Sequence, residues 1–140
     1  MPKLSTLSIG NGAFNEAEIL KFINLNNLES IEIGNNKFNK VKSLIIDGLN
    51  ELKSMRIGSN SFTGSLNSYG NDESKSFHIL NCESLESIEI GEYSFSDYAG
   101  EFELKNLTQL QSLIIGSNTS NSYNFYNTNS LIIEGILIID

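Results

Sequence analysis

His78 and Cys82 stand four residues apart in "HILNC", and they are the single histidine and single cysteine of the chain. A thiol beside an imidazole could act as nucleophile and base, provided both reach one cleft and a third group orients the imidazole. Cys82, however, aligns with Leu25, Leu49, Leu107 and Ile136 at one point of a repeating pattern, which marks it as core, whereas His78 falls on an outward position. No third residue completes the set, so the chain is read as lacking catalytic residues. Asn71, Asp72, Glu73 and Asp97 carry oxygens that could line a calcium site, but without a fixed ligand spacing a solvated loop is expected. No metal or cofactor set is expected. Asn106-Leu-Thr and Asn118-Thr-Ser fit the N-glycosylation acceptor triplet, a pattern frequent by chance in Asn- and Ser-rich chains.

Any such residues must be held by the repeat in which they sit. The peptide LESIEIG occurs twice, at 28–34 and 85–91. Around it lies an eleven-residue pattern: LSTLSIGNGAF (4–14), LESIEIGNNKF (28–38), LKSMRIGSNSF (52–62), LESIEIGEYSF (85–95) and LQSLIIGSNTS (110–120). The starts are separated by 24, 24, 33 and 25 residues. Aligned backward from each following unit, a second segment repeats as ILKFINL, SLIIDGL, SFHILNC, EFELKNL and SLIIEGI. Its apolar residues alternate (Leu20 and Phe22, Leu44 and Ile46, Phe77 and Ile79, Phe102 and Leu104, Leu131 and Ile133), the period of a strand with one buried face. Helical spacing is absent from this side.

The pattern L-x-x-[LIM]-x-I-G-x-[N/G/Y]-x-[F/S] resembles the signature of leucine-rich repeats, with Phe in the last apolar slot. "IGNGAF" and "NCESLESIEI" are similar to phrases of BspA-like surface repeats. The expectation is an all-β leucine-rich-repeat solenoid of five coils, with parallel strands on both faces, forming a single domain over 1–140. One unit cannot bury its own apolar residues and must stack on copies of itself, aligning equivalent residues in columns about 4.8 Å apart. One predicted column is Phe14, Phe38, Phe62, Phe95 and then Ser120. Another is Asn36, Asn60 and Asn118, whose amides would bond the turn backbone, with Tyr93 breaking that ladder. The insertions TGSLNSYGNDE (63–73), nine residues over the 24-residue period, and NTSNSYNFYNTN (118–129) should loop out.

With 140 residues and a net charge of −8, the chain suits one domain and repels phosphate. Nucleic acid and anionic lipid are therefore disfavoured as partners, and no apolar run is long enough to span a bilayer. No signal peptide is visible, and a surface or extracellular location is implied only by the resemblance. On the first strand the outward positions are Ser or Thr, then a charge row Glu32–Arg56–Glu89, then a glycine in every unit. Opposite charges in register favour alignment of adjacent units, and the Ser/Gly face offers no aromatic anchor for a partner. Outward Ile45, Leu80 and Ile132, with Ile23, are expected to form a contact patch on the second strand.

The repeat phase runs to both ends, with no polar lid expected, so Leu4, Leu7, Ile133, Ile136 and Ile138 are candidate end-to-end contacts. The expected function is a non-enzymatic structural or interaction module that assembles head to tail or serves in adhesion. Its partners would be proteins, including other copies or flanking repeats. The alternative is recognition of a protein or glycan through a concave sheet.

Overall fold

The computed structural model describes residues 5–10, 16–36, 38–63, 72–116, 122–126 and 128–136. The eleven-residue signature places its alternating residues on short strands: β1 (Thr6–Ile9), β3 (Ser30–Ile33), β5 (Ser54–Ile57), β7 (Ser87–Ile90) and β9 (Ser112–Ile115). The second segment supplies β2 (Ile19–Ile23), β4 (Ser43–Asp47), β6 (Ser76–Leu80), β8 (Glu101–Lys105) and β10 (Ser130–Glu134). The odd strands form one five-stranded sheet (sheet A) and the even strands a second (sheet B), each in sequential order and parallel throughout. The chain thus winds as an all-β solenoid, and no helix occurs among the described residues.

The register follows the repeat. Ile31 pairs with Met55 and Met55 with Ile88 in sheet A, while Leu44 pairs with Phe77 and Phe77 with Phe102 in sheet B. The two LESIEIG peptides meet one packing requirement, because Leu28, Ile31 and Ile33 are as fully buried as Leu85, Ile88 and Ile90.

The Phe column lies between the sheets. Phe38, Phe62 and Phe95 stack with centroids 5.1 and 4.6 Å apart, and the next ring is Phe125, 5.0 Å from Phe95. This corrects the expected Ser120, which lies outside the described residues, as do Phe14 and Asn118. The coil resumes at Ser122, so the segment from 122 onward belongs to the stack and not to a protruding insertion; Tyr93 N–H donates to Ser122 O at 2.7 Å. Of the 63–73 insertion, Thr63 is buried and Asp72 forms a parallel bridge with Tyr98, while 64–71 lie outside the described residues.

Each Phe of the column has a left-handed backbone, with φ between 49° and 61°, and so does the residue two before it: Asn36, Asn60, Tyr93 and Tyr123. That conformation costs a bulky L-residue roughly 1–2 kcal/mol, and it persists here because the turn must fold each ring into the core. It also explains the asparagines, which tolerate this region best after glycine. The expected amide ladder is shifted by one position. Ser94 Oγ donates to Gly58 O at 2.6 Å, Ser61 Oγ donates to Gly34 O at 2.8 Å, and Asn124 Nδ2 donates to Gly91 O at 2.7 Å. Tyr93 therefore breaks nothing; its ring lies 5.8 Å from that of Tyr123.

The glycine column is set by close packing between units as well as by its outward position. A Cβ on Gly91 would sit 2.6 Å from Gly58 C and 2.7 Å from Ser59 N, and one on Gly58 would sit 2.8 Å from Gly34 C. Glycine is needed there because neighbouring units touch backbone to backbone. Gly91→Ala is expected to lower stability by about 1–3 kcal/mol. Gly10→Ala, whose Cβ would meet nothing within 4 Å, should stay near neutral; urea unfolding of both variants checks the contrast.

Candidate interaction surfaces

The outer face of sheet A carries Glu32, Arg56 and Glu89 on three adjacent strands, in direct register. Arg56 Nη2 lies 3.8 Å from Glu89 Oε1, a loose and largely exposed pair of the kind worth about 0–1 kcal/mol. Beside it runs a shallow groove of about 460 Å³, lined by Ser8, Glu32, Arg56, Glu89 and the backbone of Gly34 and Gly58. Ser30 Oγ donates to Thr6 Oγ1 at 3.3 Å across the first two strands. Among the lining residues of the groove there is no aromatic side chain.

On sheet B, Ile45, Leu80 and Ile132 all take outward positions but do not form one patch. Ile23 and Leu80 share one row with Asp47 between them, Ile45 lies in the row of His78, and β8 with Glu103 and Lys105 separates all three from Ile132. In the gap lies a cluster that sequence reading did not assemble. His78 Nδ1 is 3.0 Å from Glu103 Oε1 and 3.7 Å from Glu101 Oε1. The signal was present: His78 and Glu103 occupy the same slot of consecutive units, and Glu101 is two residues away on the same face. Cys82 is fully buried, its thiol bonded to Leu80 O at 3.3 Å, and burial pushes its pKa up to about 11. A thiol so held is a poor nucleophile, and His78 is engaged elsewhere.

The Asp72 and Asp97 carboxylates are engaged by other partners and are not joined in a calcium site. Asp97 is buried and paired with Lys75 Nζ at 2.6 Å, and the Ser74 hydroxyl bonds Asp72, holding its carboxyl below the usual range. Asn71 lies outside the described residues. The Asn106 amide donates to Asn81 Oδ1 at 2.7 Å within an asparagine ladder, and Asn81 donates in turn to Asp47.

The last strands differ from all others in one respect. Leu113 and Ile115 of β9, and Leu131 and Ile133 of β10, occupy core-facing register positions. They are 39, 39, 65 and 50% exposed, whereas their partners one unit earlier (Ile88, Ile90, Phe102 and Leu104) are at most 4% exposed. Leu131 also borders, with Phe102, Ile115 and Phe125, a hollow of about 270 Å³ that opens at this end. Leu7 and Ile136 are half-buried against the core; Leu4 and Ile138 lie outside the described residues.

Compared with protein-family models, curated proteins and solved structures, the chain matches none of them. Among the described residues no helix is long and apolar enough to cross a membrane.

Proposed function

We propose that the chain is a non-enzymatic leucine-rich-repeat module of five coils, which associates through its coil ends with a second copy of itself. The supporting observation is the exposed set Leu113, Ile115, Leu131 and Ile133, core residues by register over which no described strand is stacked. The opposite end carries the same columns in the same phase: Leu7 and Ile9 on β1 continue the row of Leu113 and Ile115, and Leu20 and Phe22 on β2 that of Leu131 and Ile133. That shared phase supports stacking of one end on the other, with Leu7 and Leu20 half-buried and Ile9 and Phe22 buried at the first end. Completing the burial of four such side chains is worth roughly 3–6 kcal/mol. The contact is heterologous, and where its rotation does not close it builds an open filament. A role in adhesion at a cell surface rests on the resemblance to BspA-like repeats alone.

Size-exclusion chromatography with light scattering tests this reading. The wild type should form concentration-dependent assemblies, and the double variant Leu131→Asp, Ile133→Asp should remain monomeric. A wild type that stays a monodisperse monomer at high concentration overturns it. The groove along sheet A favours a second reading, capture of a protein or glycan ligand. Under that reading, substituting Glu32 and Arg56 together abolishes capture and leaves end-to-end assembly intact.

A further inference from the structure

We propose that His78, Glu101 and Glu103 form a binding site for a divalent transition-metal ion of the zinc class, spanning two neighbouring units on the outer face of sheet B. The three side chains offer one nitrogen and two oxygens, all within 4.8 Å of one another. Zinc binds imidazole nitrogen and carboxylate oxygen at about 2.0–2.2 Å with tetrahedral angles, which puts neighbouring donor atoms about 3.4 Å apart. The two separations from His78 Nδ1, 3.0 Å and 3.7 Å, straddle that value, so a small adjustment of side-chain torsions seats an ion between them.

The backbone holds the donors in place. His78 and Glu103 are direct partners on the paired strands β6 and β8, and Glu101 precedes Glu103 by two residues, which returns it to the same face. The row continues to Ile45 on one side and Ile132 on the other, so apolar side chains flank the His–Glu pair. His78 and Glu103 side chains are only 19 and 18% exposed, a setting that raises the worth of a charge placed between them. Two carboxylates and one imidazole suit zinc, cobalt or manganese better than magnesium or calcium, which take more oxygens and no imidazole. Three protein ligands leave a coordination position for water. Bound there, the ion cross-links consecutive units.

The composition makes the test clean, because the chain has no other histidine and its one thiol is buried. Full-length protein freed of metal with EDTA is titrated with zinc chloride by calorimetry at neutral pH. Cobalt(II) absorption then reports the coordination geometry. Expected are one equivalent bound, a rise in melting temperature reversed by EDTA, and tetrahedral cobalt bands. His78→Ala and Glu103→Gln should each weaken binding about 100-fold, and excess magnesium should leave it unchanged. Each variant changes one side chain on the outer face of the sheet, and the Gln variant keeps the shape of the original. No heat and no thermal shift at millimolar zinc would show a plain imidazole–carboxylate pair and overturn the proposal. Binding that survives in both variants, or that magnesium displaces, would show diffuse counter-ion attraction and overturn it equally.

Discussion

Asp97→Ala is expected to lower the unfolding free energy by about 3–5 kcal/mol, because it strands the ammonium of Lys75 in the interior. Lys75 Nζ lies 2.6 Å from Asp97 Oδ2, and both side chains are only 8% exposed. Around the pair, the Lys75 ammonium sits 5.8 Å from the centroid of the Tyr98 ring, whose hydroxyl donates to Val41 O at 2.5 Å. The pair joins the start of β6 to the turn before β8, so one unit is pinned to the next by charge as well as by strand pairing. Removing both charges tells a different story. A buried ion pair replaced by apolar side chains of similar size is about neutral, so Lys75→Met with Asp97→Leu should recover most of the loss. Urea unfolding of the single and double variants measures the coupling; equal losses in both would show that the site tolerates no apolar replacement.

Phe95→Ala should cost about 3–5 kcal/mol through the cavity it leaves. Phe95 is fully buried, stacked between Phe62 and Phe125, and met edge-on by Phe77 at 5.0 Å and Tyr98 at 4.9 Å. Its ring thus joins the column above and below to β6 of sheet B and to the turn at Tyr98. Its backbone φ of 61° adds a sign test. Alanine keeps the left-handed strain and glycine does not, so Phe95→Gly should be the less damaging by roughly 1 kcal/mol, the reverse of the usual order in regular structure. An alanine variant more stable than the glycine variant would show that the turn relaxes once the ring is gone.

Much of the solenoid was legible in the sequence because a strand's alternation is local. Two residues of spacing decide which side chain faces in, and the repeat of that spacing decides which residues pair. The register of all ten strands and the burial of Leu28, Leu52 and Leu85 follow from that rule alone. The charge row on sheet A was legible for the same reason, as were the outward positions of His78 and Glu103.

The turns obeyed a different logic. An insertion shifts the count, and only contact with the unit beneath shows where the pattern resumes. Hence Phe125 and not Ser120 continues the ring column, and Ser61, Ser94 and Asn124 hold the carbonyls that the asparagines were expected to hold. The tight contact at the glycines was hidden likewise, since strand parity says which way a side chain points but not how near the next backbone comes.

By itself, then, the sequence determined the all-β winding, the columns and their faces, because each depends on neighbours one or two positions away. Tertiary structure alone decided the Lys75–Asp97 pair, the closeness of Glu101 and Glu103 to His78, and which core positions stay uncovered. Those depend on distances between residues more than twenty positions apart, set by how one unit lies on another and carried by no local period.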